Sequence, residues 1–416
     1  MRVALVSGIF PPEQGFSAQM GVETAEELVR RGHSVHVYAP FPSHPKGRLF
    51  AGYKRTLYST STSGAGYALT HCFGTFSRSS TMMSRLSANL SFGISSGLRM
   101  LFGRRPDVIY SNCWPIFATG IVAMIARLRR VPFVLRVQDV YPESLDSQQR
   151  SSSKSWIYRL LRLCDQMIAR SSQQVLVISR AFQKIYENER GVSAEKIHVI
   201  PNWSAEEMVY ADRSAALAFR QKLGITEKAF VAVYAGNVGV ASNAELLVDA
   251  LAKLKDRPQI YLVIAGEGAK LDTCRDKAGL QELDRVVIHT PWRAEETGPV
   301  MQMADVLLLP TRGRQSLSSI PSKLITYLLS GRPVIAAVLP ESDTATAIHE
   351  SGAGWVVNPD SAELMAEAIL EASGQSTESL RRMGLAGREY ALENHTREAN
   401  LFRVVEIVEQ AGKVAE

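Results

Sequence analysis

The sequence predicts an α/β protein of two doubly wound domains, each a parallel sheet between helices. Three observations carry this. Short apolar runs bounded by Gly or Pro alternate with amphipathic stretches along most of the chain, the pattern of βα units. The alternation breaks at Pro201-Asn202-Trp203 and then starts again. The length of 416 residues also exceeds what one core supports, since single cores stop growing at about 250–300 residues. The expected domains are therefore 1–203 and 204–390, with a helical tail over 391–416.

In chain order, residues 3–7 form the first strand, and a loop through Pro11, Pro12 and Gly15 leads to a helix over 18–30. Gly32 stands where a helix C-cap belongs, before a second strand at 34–39. Further strands are expected at 108–111, 133–137, 174–178 and 197–200. After the break, strands at 230–235 and 260–265 each end in glycine: Gly236, then Gly266-Glu267-Gly268. Strands at 286–289, 306–310 and 333–336 follow. The tail from Thr377 is helical, with Leu401, Val404, Val405 and Val408 on one face.

Hydrophobic content of 46% and charged content of 21% are those of a soluble globular enzyme. No apolar run approaches the roughly 18 residues of a membrane span. The N-terminus runs into Pro11-Pro12 without a small-residue cleavage site, so it reads as a buried strand and not a signal peptide. Cys72, Cys113, Cys164 and Cys274 include no CxxC pair, which suits a reduced, cytosolic protein without a zinc site.

Charge divides the chain. Residues 1–200 hold 25 Lys/Arg against 12 Asp/Glu, and the remainder holds 22 against 29. Between Glu27 and Asp107 there are eleven Lys/Arg and no acid. Such a surface suits anionic phospholipid or a pyrophosphate-linked acceptor, although solvated basic loops give the same count. No basic-aromatic RNA motif or zinc-finger spacing is present, so nucleic acid is not an expected partner. Segment 73–105 mixes large apolar residues with arginines. An amphipathic helix at a membrane surface and a helix packed on the first sheet both fit it.

Four motifs carry chemistry. Gly15 precedes a helix whose N-terminal amides suit phosphate. Tyr234-Ala235-Gly236-Asn237-Val238-Gly239 leaves a strand at its C-terminal end, where open α/β sheets bind ligands. It is not the GxGxxG fingerprint, which occurs nowhere in the chain, so a nicotinamide cofactor is disfavoured. Ser318-Ser319-Ile320-Pro321-Ser322-Lys323 opens a short helix ending near Gly331, and Lys323 adds a charge to the helix dipole where a diphosphate would bind. Arg136-Val137-Gln138-Asp139-Val140-Tyr141-Pro142-Glu143 leaves a buried strand. Asp139 stands immediately after that strand, where hydroxyl recognition and a helix N-cap are both open to it.

With these stretches in order over nearly the full length, the chain resembles the family-four glycosyltransferases. Within them it is similar to the branch of colanic-acid and O-antigen transferases of the N-acetylfucosaminyl type. The matching stretches are 10–15, 31–33, 136–144, 199–203, 236–239, 266–268 and 321–335. The resemblance implies the GT-B fold, two Rossmann-like doubly wound parallel-sheet domains facing across a cleft, with the C-terminal helix returning to the first domain. It implies a retaining, metal-independent enzyme without cofactors, and no DxD motif is present. Gly15, Gly236, Asn237, Gly268, Ser319, Ser322 and Thr326 would bind the donor, with Thr290-Pro291-Trp292 towards the base. Asp139 and Lys323 would be catalytic, and Arg136 and Glu143 would meet the acceptor.

The chain departs from the family at one place. Ser318 and Thr326 stand where much of the family has two glutamates, and the Arg and Lys that hold phosphate are replaced by Asn237 and, approximately, Asn243. Donor grip then rests on backbone amides and Lys323. The expected reaction moves an amino or deoxy sugar from a UDP-type donor to an undecaprenyl-pyrophosphate-linked saccharide or polysaccharide. That places a cytoplasmic enzyme peripherally on the inner face of the membrane, against its anionic surface, in O-antigen, capsule or exopolysaccharide synthesis. A nucleotide-sugar epimerase and a non-catalytic sugar-nucleotide-binding subunit are the alternatives.

Overall fold

The computed structural model describes residues 1–413 except 14, 44–46, 77–81, 145–155, 205–211 and 318–319. The chain divides into two units, one of Met1–Asp146, Ser151–Asn202 and Glu398–Glu416, the other centred on Trp203–Arg397.

The first unit is built on eight strands: β1 (Arg2–Val6), β2 (Ser34–Pro40), β3 (Tyr58–Thr62), β4 (Ala68–Cys72), β5 (Val108–Asn112), β6 (Phe133–Val137), β7 (Gln174–Val177) and β8 (Ile197–Val199). Their order is β3-β4-β2-β1-β5-β6-β7-β8, parallel except for the antiparallel β3–β4 pair. β1, β5 and β6 are buried almost end to end because helices cover both faces, hence their unbroken apolar runs. The hairpin of β3 and β4 was not foreseen. β3 is an edge strand of Tyr-Ser-Thr-Ser-Thr, mostly exposed, with no apolar alternation to announce it.

The C-terminal helix Arg397–Lys413 packs within this first unit. Gly412 lies where a Cβ would meet Met1 Sδ at 2.7 Å, and Glu409 accepts from His33 at 2.7 Å and Arg31 at 3.3 Å.

The second unit holds β9 (Phe230–Ala235), β10 (Ile260–Ala265), β11 (Val286–His289), β12 (Val306–Pro310), β13 (Val334–Ala337) and β14 (Gly354–Val357). All pair in parallel, in the order β11-β10-β9-β12-β13-β14. The half-exposed edge strand β14 is a second element the sequence pattern did not announce.

Both sheets share one topological property. In the first, the chain moves outward from β1 to β2 and later returns to β5 on the other side of β1. In the second, β9 leads outward to β10, and β12 returns on its other flank. Such switch points leave a crevice at the carboxyl ends of the central strands. The residues expected to carry chemistry lie at these two places.

Candidate active site

In the second unit, β9 leads directly into Gly236, whose φ is +140°. The space a Cβ would occupy there is filled by Lys323, whose Cε lies 2.1 Å from that position. Lys323 is the second residue of the helix Ser322–Leu329, which follows β12. Strand order thus brings together two residues 87 positions apart, at the second switch point. One turn further along the helix, the buried Tyr327 hydroxyl donates to Ala235 O at 3.0 Å and accepts from Ala235 N at 2.9 Å. This clamp ties the helix to the last residue of β9 and so sets Lys323 over Gly236.

Lys323 is mostly buried, and among the described residues no carboxylate pairs with it. Its ammonium lies 5.3 Å from the Tyr234 ring centroid, and burial lowers its pKa to about 8. The helix that carries it starts at Pro321 with no side-chain cap and no acid in its first turn. Helices beginning after Ser179, Asp212, Ser342, Ser361 and Ser376, by contrast, are all capped by those side chains. A desolvated cation beside uncapped amides is an arrangement suited to an anion.

The neighbouring loops are packed backbone to backbone. Val238 N donates to Glu267 O at 2.8 Å, and Lys270 N donates to Val238 O at 2.9 Å. Gly268 has φ +154°, and a Cβ there would sit 2.4 Å from Val238 O. Loop packing therefore accounts for Gly268. Asn237 is exposed, Ser322 is exposed at the first helical position, and Thr326 lies one turn on, half-buried, its hydroxyl without a partner among the described residues. Ser318 and Ser319 lie outside the described residues. Asn243 is buried, donates to Asp360 at 2.8 Å and accepts from Arg312 at 3.1 Å, while Arg312 also pairs with Glu245. Asn243, which stands approximately where the family has a phosphate-holding residue, is thus tied into a structural network.

In the first unit, a cavity of about 80 Å³ opens at the switch point, lined by Gly8, Ile9, Ser17, Asn112, Gln138 and Asp139 among others. It has room for several waters, one needing about 10–15 Å³ of such space. Ser17 donates to Gln138 Oε1 at 2.8 Å, joining the helix Phe16–Arg30 to the exit of β6. Gly15 is extended, at φ 164°, immediately before that helix, which also lacks a side-chain cap. Among the described residues, a Cβ at Gly15 would come near Ile9 Cδ1, at 3.3 Å.

Asp139 follows β6 and faces this cavity. Among the described residues nothing pairs with its carboxyl, and burial pushes its pKa from 3.8 to about 6. Arg136 and Glu143, expected at the acceptor, are already engaged by the protein. Arg136 is fully buried and donates to Asn202 Oδ1 at 3.0 Å, holding the loop that ends the first unit. Glu143 takes two bonds from the buried Arg190, at 2.7 and 2.8 Å. Arg190 also donates to Asp165 Oδ2 at 2.8 Å and Tyr141 O at 2.8 Å, and Tyr186 donates to Asp165 Oδ1 at 2.9 Å. This cluster was not foreseen, because Arg190 ends a helical stretch and so reads as a solvated residue.

The geometry makes two predictions. Gly236→Ala strains a positive-φ position, costing about 1–3 kcal/mol, and displaces Lys323. Donor turnover then falls as for Lys323→Ala, and the double variant loses no more than Lys323→Ala alone; steady-state kinetics of the cycle check this. Asp139→Asn is expected to stabilise the protein. The native carboxyl has a folded pKa above its unfolded one, so ionising it costs stability as pH rises from 3.8 to about 6. The variant should therefore melt about 2–6 °C higher at pH 7.5 and gain little at pH 4, as calorimetry will show.

Comparison with known proteins agrees with this geometry. Residues 19–203 match the model of a glycosyl transferase 4-like domain, and residues 229–374 match that of glycosyl transferases group 1. The chain is a GT-B glycosyltransferase of the family-four type. It is 25% identical over 398 residues to the "Putative colanic acid biosynthesis glycosyl transferase WcaI" of Escherichia coli (strain K12), covering 93% of this chain and 95% of that one. It is 25% identical to "Probable glycosyltransferase WbjE" of Pseudomonas aeruginosa, over 64% of this chain and 66% of that one. Among solved structures, Anabaena Alr3699/HepE in complex with UDP-glucose superposes with a TM-score of 0.71 at 16% identity, covering 100% of both chains. WaaG, a glycosyltransferase involved in lipopolysaccharide biosynthesis, does so with a TM-score of 0.70 at 18% identity, over 98% of this chain and 99% of that one. These two likenesses are in fold.

Proposed function

We propose that this glycosyltransferase moves a sugar, an amino or deoxy sugar by its sequence branch, from a nucleoside-diphosphate donor to a lipid-linked or polysaccharide acceptor of the cell envelope. The observation that carries the reading is the mostly buried Lys323, without a carboxylate partner among the described residues, lying over Gly236 beside helix amides that have no side-chain cap. A donor diphosphate suits a desolvated cation beside free helix amides. UDP is the favoured nucleotide, because solved structures of the same fold hold UDP and UDP-glucose. The acceptor class follows the names of the relatives and the basic first half of the chain.

The reaction proposed proceeds with retention. The bond from the sugar's anomeric carbon to the leaving phosphate oxygen breaks while a bond to the acceptor oxygen forms on the same face. The acceptor proton passes to the departing phosphate. Lys323 and the amides of its helix stabilise the charge gathering on the diphosphate, with no metal required. Asp139 orients the acceptor hydroxyl in its small cavity. Since Lys323 is cationic below about 8, kcat/KM falls as pH rises through that value.

Thermal shifts with UDP-, GDP- and dTDP-sugars identify the donor, because a bound ligand stabilises in proportion to its occupancy. Incubation of that donor with and without a membrane-lipid fraction then tests the reaction. Transfer only with the fraction supports it. A new nucleotide sugar from donor alone, or binding without transfer, overturns it.

A further inference from the structure

The cavity that Asp139 faces is too small for a sugar ring. At about 80 Å³ it admits a hydroxyl group or a few waters, whereas pockets that enclose whole ligands run to about 300–1,000 Å³. A ring whose hydroxyl reaches Asp139 therefore lies outside, against the rim. Trp114 stands at that rim: it lines the same cavity and is 44% exposed.

The indole is held in place by the strand exits around it. A Cβ at Gly8 would fall 2.4 Å from Pro115 Cδ and 3.0 Å from Trp114 Cε3, so the glycine lets this segment pack on the chain leaving β1. On its other side, Cys113 N donates to Arg136 O at 2.8 Å and Cys113 Sγ to Asp139 O at 3.5 Å, which ties the segment to the exit of β6. Asn112, the last residue of β5, lines the cavity too, and among the described residues its side-chain amide has no partner.

A single exposed apolar side chain is ordinary. Here a fixed, half-exposed aromatic ring, an unengaged amide and an unengaged carboxyl surround one small cavity, and that set matches a pyranose. A pyranose has a face of C–H groups, whose positive edge suits the negative face of an indole, and a rim of hydroxyls that an amide and a carboxyl can bond. We infer that Trp114 is the platform on which the acceptor's terminal pyranose stacks while one of its hydroxyls enters the cavity between Asn112 and Asp139. The acceptor is then a saccharide, lipid-linked or within a polysaccharide, and not a bare lipid phosphate, which has no ring to stack. The inference rests on the reading above that sugar is transferred to an acceptor placed at Asp139.

Steady-state kinetics of the full chain test it, with the donor identified by thermal shift. The acceptors are a membrane-lipid extract and an aqueous polysaccharide fraction, assayed apart, and undecaprenyl phosphate alone. Trp114→Leu keeps an apolar side chain without a flat ring. It should melt with wild type and raise the acceptor KM about tenfold or more, with kcat and donor KM changing less. Trp114→Phe keeps a ring and should stay within about threefold of the wild-type acceptor KM. Either saccharide fraction supports the inference by accepting sugar, and the one that does so names the acceptor's source. Undecaprenyl phosphate should not accept. An unchanged acceptor KM in Trp114→Leu, a Phe variant as impaired as the Leu one, a rise in donor KM instead, or wild-type transfer to undecaprenyl phosphate overturns the inference and leaves the transfer reading standing. A wild type that transfers sugar to none of the three overturns that reading, and this inference with it.

Discussion

Lys323→Ala lowers donor turnover by about 10²–10³-fold, the loss expected when a preorganised charge on a leaving group is removed. The size follows from the setting of the lysine. An exposed lysine would be screened by water and its loss hardly felt, whereas Lys323 is mostly buried, lies over Gly236 and is held by the Tyr327 clamp. Because the leaving diphosphate carries more charge in the transition state than in the donor, the loss falls on kcat more than on KM. Stability moves the other way. Burial holds the folded pKa near 8 against an ordinary 10.5, so the folded state binds fewer protons than the unfolded between these values. Stability therefore rises with pH across that window, and Lys323→Ala removes the dependence. Steady-state kinetics and melting curves from pH 7 to 10 read both effects. A variant within about threefold of wild-type turnover would refute the charge-stabilising role.

Arg190→Ala destabilises the first unit by about 3–5 kcal/mol, the cost of leaving buried charges without their partner. Asp165 has 3% of its side chain exposed and would keep only the Tyr186 hydroxyl. Glu143 and Tyr141 O would lose the donor that fixes the segment just after Asp139. Melting should fall by about 10 °C, with a loss of activity reflecting the freed loop. Arg190→Lys should recover little, since an ammonium cannot bond Asp165, Glu143 and Tyr141 O from one planar fork. The pair Arg190→Met, Asp165→Leu should recover more than either single change, because it removes the guanidinium together with its more deeply buried carboxylate and leaves only the partly exposed Glu143 without its partner.

The central strands were legible because parallel strands buried on both faces read as continuous apolar runs; 133–137, 230–235 and 306–310 fall where expected. β3 and β14 were not, since edge strands lack that signature. The parts of the candidate site were legible one at a time. Gly236 stands at a strand exit and Lys323 one turn into a helix, and each had a commonplace explanation. Their contact depends on β9 lying beside β12, which no local pattern encodes. The same limit hid Arg190, whose partners come from Asp165 and from the loop at Tyr141 and Glu143. It also hid the partners of Arg136 and Glu143, whose strand-exit position suited an acceptor and whose charges the fold itself engages.

The central claim is that Lys323 and the glycine-bounded loop hold a diphosphate. Isothermal titration of the full chain, wild type and Lys323→Ala, with the best nucleoside diphosphate and its monophosphate tests it most directly. The wild type should prefer the diphosphate by about tenfold or more, and the variant should bind the two nearly alike. A variant that keeps the wild-type preference would contradict the claim.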